Sequence, residues 1–423
     1  MDKIKVIFDA TIITSVRNDM KFGIFNVAKN LLIEFMKRDD VEVSLFSREY
    51  NRKLAIKNLK KYANAENLPC QFNGFLYSFT RMTAKVILNL FPDSISDFLK
   101  VKLRIFVNKC IKILKSKKSP ENIIYNQTNQ KKEFFFSPIF AIPEKFKNCH
   151  ECIFIHDTIP AILDGYAQRN GWFFELCDSL NSQSICFANS LCTKKDFLKY
   201  LPHLKPENII VTPLACDERF KPASSDEIKN AKAKYKIPSE KKYIFSLCTL
   251  EPRKNLLRTV RCFADFIRKN NIDDLVFVLG GAHWDRFIKL LESEVSNFEN
   301  LKDKILKIGY VDDADQATLY SGALFFVYTS QYEGFGLPPL EAMSCGTPVI
   351  TSNNSSLPEV VGDAGIMIDY DDDEAHIKAY EDYYFNEELR KENSKKGLEQ
   401  ARKFSWEKCA DIMVEEFKKR IKK

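Results

Sequence analysis

One stretch, residues 332–349 (YEGFGLPPLEAMSCGTPV), constrains the fold more than any other. Its two carboxylates, Glu333 and Glu341, bracket Gly334, Gly336, Pro338 and Pro339, residues that cannot carry a strand through. Ahead of it, residues 323–328 (ALFFVY) are apolar and aromatic, as a strand buried on both faces must be. Behind the glycines, Leu340, Ala342 and Met343 open a helical pattern. The unit is therefore strand, glycine turn, helix. Free backbone N–H groups of the first helical turn, with the positive end of the helix dipole, then face the crevice beyond the strand and suit a phosphate. Glu341, near the start of that helix, is placed to reach a sugar hydroxyl.

The same alternation runs along the chain. Residues 3–8 (KIKVIF) read as a strand, followed by a polar loop, Gly23 and a helical face of Ile24, Val27, Ala28, Leu31, Leu32 and Phe35. Further strands fall at 41–46, at 152–155 ending in His156 and Asp157, at 185–188 and at 209–211. A polar, lysine-rich segment at 220–242 with Pro222 and Pro238 reads as a helix and connector, after which the pattern restarts at 243–248. Strands follow at 275–279, ending in Gly280 and Gly281, at 305–308 before Gly309, and at 348–351 and 365–368. The class is α/β with parallel sheets, in two halves that each begin afresh with a strand and loop. His156, at the carboxyl end of a buried strand, occupies a position where such proteins place ligand-contacting groups. A core histidine satisfied by its neighbours is the alternative.

Composition narrows the class further. At 423 residues with 45% apolar content, the chain can build a core in each of two or three domains. No run approaches the twenty apolar residues of a membrane span, and MDKIKVIFDATII reads as a charged lead into a strand, not a signal peptide, so the expected compartment is cytoplasmic. The twelve cysteines are scattered and several sit in apolar runs, which reads as reduced thiols. Cys149, His150 and Cys152 have zinc-like spacing, but no second CxxC or HxxxH supplies the remaining ligands. Asp371, Asp372, Asp373 and Glu374 could hold a divalent cation, although helix capping explains them better. Net charge is +7, yet 52–118 alone holds fifteen Lys and Arg against three acids, a local +12. Within it Ile95, Phe98, Leu99, Leu103, Phe106, Cys110 and Ile113 recur at helical spacing. Two readings stand: a core helix with a solvated lysine face, or attachment to an anionic membrane surface, which nearby aromatic residues favour.

The opening stretch, continued through AMSCGTPVITSNNSSLPEVVGDAG, resembles the donor-site signature of retaining glycosyltransferases of family 4. SPIFAIP with IFIHDTIP, ANSLCTKKDF, IIVTPLACDERF, TLEPRKN, IGYVDDADQATLYSGA and FSWEKCA resemble family elements in the family's order. Only 48–130 is hard to recognise. The resemblance implies the GT-B fold, two Rossmann-like domains whose parallel sheets face a cleft. On that basis the chain divides into an acceptor-side domain (1–213, with a basic insertion at about 51–130), a nucleotide-sugar domain (214–405) and a C-terminal helix (406–423) that could cross back.

The resemblance also implies roles. Glu341 would accept hydrogen bonds from the donor ribose, Glu333 would contact the transferred sugar, and Arg253 and Lys254 would hold the pyrophosphate. His156 would lie beside the donor sugar. Gly334, Phe335, Gly336 and Leu337, with Gly280, Gly309 and Tyr310, would complete the donor site, and Gly23 would approach the donor phosphate or the acceptor. Two positions depart from the family pattern: no glycine stands at Leu247 or Cys248, and Gly23 lacks a glycine neighbour. The implied reaction is retaining transfer of a hexose such as mannose from a nucleotide-diphosphate sugar, GDP-mannose being the first candidate. The acceptor would be a glycan or lipid-linked saccharide at the inner membrane face, in lipopolysaccharide or capsule assembly. No metal, other cofactor or nucleic acid is implied. A catalytically idle sugar- or nucleotide-binding scaffold is the competing class. A nicotinamide enzyme is disfavoured because neither half carries GxGxxG with an acid about twenty residues on.

Overall fold

A computed structural model describes residues 3–15, 23–49, 51–61, 67–72, 133–166, 171–281, 285–296 and 303–422. The basic amphipathic pattern and aromatic residues within 73–118 lie outside the described residues. The chain divides into two compact units, Met1–Ile153 with Glu416–Lys423, and Phe154–Glu415.

The first seven strands form one sheet in the order β3-β2-β1-β4-β5-β6-β7. They are β1 (Ile4–Asp9), β2 (Val41–Ser47), β3 (Cys70–Phe72), β4 (Glu133–Ser137), β5 (His150–Ile155), β6 (Ile185–Ala188) and β7 (Ile209–Val211). β1 pairs in parallel with β2 and with β4, Val6 standing opposite Val43 and Phe134. Every residue of β4 is buried, which is why EFFFS reads as a continuous apolar run with no alternation. Helix Gly23–Lys37 buries Phe25, Val27, Ala28, Leu31, Leu32 and Phe35. Its apolar face thus begins at Phe25, with Ile24 only partly covered. In the first unit Phe417, from helix Trp406–Ile421, is fully buried with its ring 4.4 Å from Phe134 and 6.1 Å from Phe35. Burying such a side chain contributes roughly 2–3 kcal/mol, enough to fix the end of that helix among β1–β4 and their helices.

The second sheet comprises β8 (Lys242–Leu247), β9 (Leu275–Gly280), β10 (Ile305–Gly309), β11 (Phe325–Tyr328), β12 (Val349–Ser352) and β13 (Ile366–Ile368). Its order is β10-β9-β8-β11-β12-β13, all parallel. Counted from its own first strand this is 3-2-1-4-5-6, the doubly wound arrangement whose crevice opens where the order reverses, between β8 and β11. The core on one face joins Phe263, Phe266 and Ile267 of helix Leu256–Asn270 to Tyr380 and Tyr383 of helix Asp373–Phe385 and to Phe325 of β11. That packing holds the carboxyl ends of β8 and β11 rigidly, and the loops leaving them carry the candidate site. No helix among the described residues is long and apolar enough to cross a membrane.

Candidate active site at the reversal of the second sheet

Beyond β8 the chain turns through a short 3₁₀ segment, Pro252–Lys254, and enters helix Leu256–Asn270 by way of Asn255, whose φ is +59°. Asparagine tolerates that left-handed conformation. Beyond β11 the loop 329–336 runs beside this turn, and the two are tied through the backbone. Gln331 N–H and Ser330 Oγ donate to the Arg253 carbonyl at 2.8 and 3.1 Å.

The tie places four charges together in the interior. Arg253 and Lys254 are 8% and 9% exposed, and Glu333 is 8% exposed. Arg253 Nη1 lies 2.7 Å from Glu333 Oε1, and Arg253 Nη2 2.7 Å from Glu251 Oε1. Lys254 Nζ donates to the same Glu333 Oε1 at 2.7 Å and to Tyr328 Oη at 2.5 Å. Burial alone pushes the Glu333 carboxyl up, but the Arg253 and Lys254 charges outweigh it and hold it at about 2. Arg253 Nε is buried with no acceptor among the described residues. A guanidinium carries five donors in a fixed fork, and this Nε donor has no partner among the described residues.

His156 belongs to the same neighbourhood through its backbone. A Cβ on Gly334 would stand 2.1 Å from the His156 carbonyl oxygen and 2.8 Å from Asp157 Cβ. Glycine is required at 334 because the chain at His156–Asp157 lies against it. The His156 carbonyl accepts from Asn189 Nδ2 at 2.7 Å and Thr193 Oγ1 at 3.2 Å, while Ser190 Oγ and Thr193 Oγ1 donate to the Gly334 carbonyl at 2.8 and 3.1 Å. Burial raises the Asp157 carboxyl, which the Arg253 and Lys254 charges oppose. Structure therefore gathers His156, Arg253, Lys254, Glu333 and Gly334, all singled out from sequence, and adds Asp157, Glu251 and Tyr328.

The remaining sequence-derived positions divide by geometry. Gly336 has φ +122° and caps helix Leu337–Ser344. Pro338 and Pro339 occupy the first turn of that helix and have no N–H, so the phosphate-facing donors expected there reduce to the one on Leu337. Phe335 is buried with its ring 5.8 Å from Phe404, which leaves only its backbone to a ligand. Glu341 is the fifth residue of the helix, not in its first turn, so the dipole does little for it. Its Oε2 accepts from Tyr320 Oη at 3.0 Å. Burial pushes its carboxyl up to about 7, against the Tyr320 hydrogen bond and the Arg219 charge.

Gly309 has φ +69° with open space around it, and Tyr310 beyond it is 64% exposed. Gly280 is packed instead, since a Cβ there would meet Val311 Cγ2 at 2.9 Å. A Cβ on Gly281, φ +129°, would fall 1.8 Å from the Cys248 carbonyl oxygen. The backbone at Gly281 thus packs directly against that of Cys248, just past the end of β8. In the first unit, Gly23 is an exposed first residue of its helix. Asp372 caps helix Asp373–Phe385 by accepting from Ala375 N–H at 3.0 Å, and Asp373 pairs with Arg258 at 3.0 Å. His150 stacks on Phe134 at 4.8 Å, and Cys149 and Cys152 are buried beside it in the sequence. Among the described residues no group of three or more metal-ligating side chains is gathered.

Residues 227–400 match the family described as "Glycosyl transferases group 1". The O-antigen chain mannosyltransferase B of Escherichia coli is 34% identical over 243 residues, 57% of this chain and 62% of that protein. The serotype-specific mannosyltransferase WbdA of Escherichia coli is 29% identical over 272 residues, 62% of this chain and 32% of that protein. The chain thus spans less than two thirds of the length of these relatives. Anabaena HepE, solved with UDP and glucose, superposes with a TM-score of 0.69 at 14% identity, covering 98% of this chain and 100% of that one. A glycosyltransferase from Rickettsia africae gives 0.66 at 15% identity, with all of both chains covered. At such identities the likeness speaks for the fold, which is GT-B.

Proposed function

Because residues 227–400 match the glycosyl transferases group 1 family, we propose that this protein transfers a hexose from a nucleotide-diphosphate sugar to a hydroxyl of a glycan or lipid-linked saccharide, with retention at the anomeric carbon. The observation that carries the reading is the buried pair Arg253 and Lys254 at the sheet reversal, with one guanidinium donor unclaimed among the described residues. As the glycosidic bond breaks, negative charge grows on the departing diphosphate. Fixed cations in a site shielded from water stabilise that charge without reorganising.

Glu333 is a poor nucleophile in this arrangement. Both cations pin one of its oxygens, and a carboxyl held at about 2 has little basicity to offer a carbon centre. Glu251 is likewise tied to Arg253. Neither of these two carboxylates is therefore suited to be the nucleophile of a double-displacement route of the kind retaining hydrolases use. In the proposed step the acceptor oxygen bonds to the anomeric carbon on the face the leaving group departs from, and the acceptor proton passes to a phosphate oxygen of that group. Donor binding draws Arg253 and Lys254 toward the diphosphate and frees Glu333 for the sugar hydroxyls. Glu341, next to Tyr320, takes the ribose. Mannose as the sugar is favoured by the mannosyltransferase relatives, GDP as the leaving group follows from the sequence resemblance, and the O-antigen connection of the first relative favours a role in cell-surface polysaccharide assembly.

Purified protein incubated with a panel of nucleotide sugars and a saccharide acceptor should release a nucleoside diphosphate from one donor, and proton NMR should find the donor's anomeric configuration kept in the product. An inverted product contradicts the mechanism. Absence of release from every donor favours the idle scaffold.

A further inference from the structure

The cation site contains a hydroxyl that no carboxylate pattern announces. Tyr328 ends β11 and is 4% exposed. Lys254 Nζ donates to its hydroxyl at 2.5 Å and stands 4.9 Å from the centroid of the same ring. The hydroxyl thus offers the ammonium a lone pair. The ring itself is fixed: it stacks on Phe326 at 6.0 Å, and Tyr328 pairs with Thr351 in the register of β11 on β12. Burial pushes the phenol well above its usual range, so it stays neutral and keeps its proton.

Among the described residues Lys254 has one other anchor, the Glu333 oxygen it shares with Arg253. That anchor is the one a bound donor sugar would compete for. A lysine side chain is long and flexible, and an ammonium released from its carboxylate needs a second support to stay aimed. We propose that Tyr328 is a positioning residue: its hydroxyl holds the Lys254 ammonium for the donor diphosphate while Glu333 is engaged by the transferred sugar. The inference rests on the glycosyl-transfer reading above.

Tyr328→Phe keeps the ring and removes the hydroxyl, and a double-mutant cycle with Lys254→Met isolates their coupling. The readouts are kcat/KM for the donor, from nucleoside diphosphate release, and Tm. Tyr328→Phe should lower kcat/KM about ten-fold when Lys254 is present and less than about two-fold in the Lys254→Met background. Equal losses in both backgrounds, or no loss in either, overturn the proposal. Should Tyr328→Phe fail to fold, Tyr328→Leu, which also lacks an acceptor for the ammonium, carries the same cycle with the same criterion. A wild-type protein that releases no nucleoside diphosphate overturns the glycosyl-transfer reading and this proposal together; an active wild type without coupling overturns the proposal alone.

Discussion

Both sheets reverse their strand order in the same way, between β1 and β4 in the first and between β8 and β11 in the second, but the two reversals are furnished differently. At the first, the buried carboxylate of Asp9 faces one guanidinium: Arg48 Nη2 reaches Asp9 Oδ2 at 3.1 Å and the Ala141 carbonyl at 2.5 Å. Thr11 N–H donates to Asp9 Oδ1 at 3.1 Å, and Arg48 also lies over the Phe140 ring. Burial outweighs Arg48, and the Asp9 carboxyl is raised. At the second, two cations converge on one oxygen of Glu333, and its carboxyl is lowered. Topology supplies a crevice in both cases, and the loops decide its electrostatic character. A partly exposed guanidinium ties the first carboxylate, whereas two buried cations share one carboxylate oxygen at the second.

The largest effect that would break this contrast comes from Glu333→Gln. It leaves Arg253 and Lys254 buried with Glu251 as the one carboxylate among the described residues ion-paired to either, which costs about 3 kcal/mol and should lower Tm by roughly 10 °C. The pH dependence has a definite sign. Because the folded carboxyl is depressed, its contribution is present above the unfolded value of 4.5 and is lost as pH falls toward about 2. Denaturant midpoints of wild type and variant should converge over that window, and parallel curves would count against the ion-pair account.

A smaller effect is expected at Glu341. Its carboxyl is raised to about 7, and the ionised form is the better acceptor for ribose hydroxyls. Donor affinity should therefore rise as pH increases through 7, by up to about ten-fold between pH 6 and 8. Calorimetric titration with Glu341→Gln alongside separates this from titration of the nucleotide phosphate: the variant should lose the extra slope, and identical pH profiles would refute the ribose assignment.

Asp9→Asn should have the smallest effect, within about 1 kcal/mol at neutral pH, since the ion pair lost is offset by relief of a carboxylate that resists ionisation. Its sign is opposite to that of Glu333. A raised carboxyl favours the folded state below the unfolded value of 3.8 and loses that advantage as pH rises through the folded value. Chemical denaturation of Asp9→Asn across pH 3 to 7 should thus show the wild type losing ground to the variant as pH rises, and a wild type that gains ground would erase the contrast between the reversals.

Much of the fold was legible because parallel strands buried on both faces announce themselves as apolar runs. ALFFVY, YIFSLC and LVFVL all proved to be strands with at most a residue or two of adjustment. The candidate site was legible where a motif carried it, as with Glu333, Arg253 and Lys254. It was not legible where residues meet across long separations. Tyr328 reads from sequence as one more apolar residue of a buried strand, and only the packing of β11 beside β8 brings its hydroxyl to Lys254, 74 positions away. Nothing in the sequence singles out Glu251, which Arg253 turns back to meet. Gly334 looked like a phosphate-loop glycine, whereas the backbone of His156 is what forbids a side chain there. Helix position was misjudged for Glu341 because two prolines extend the first turn ahead of it.

The central claim is that the second reversal holds a nucleoside diphosphate through its cations. Calorimetric titration of wild type and Lys254→Met with GDP, UDP and the corresponding nucleosides tests it most directly. One diphosphate should bind the wild type at least about 100-fold more tightly than its nucleoside, and that preference should shrink at least about ten-fold in the variant. Nucleosides that bind as well as diphosphates, or a preference unchanged in Lys254→Met, would contradict the account.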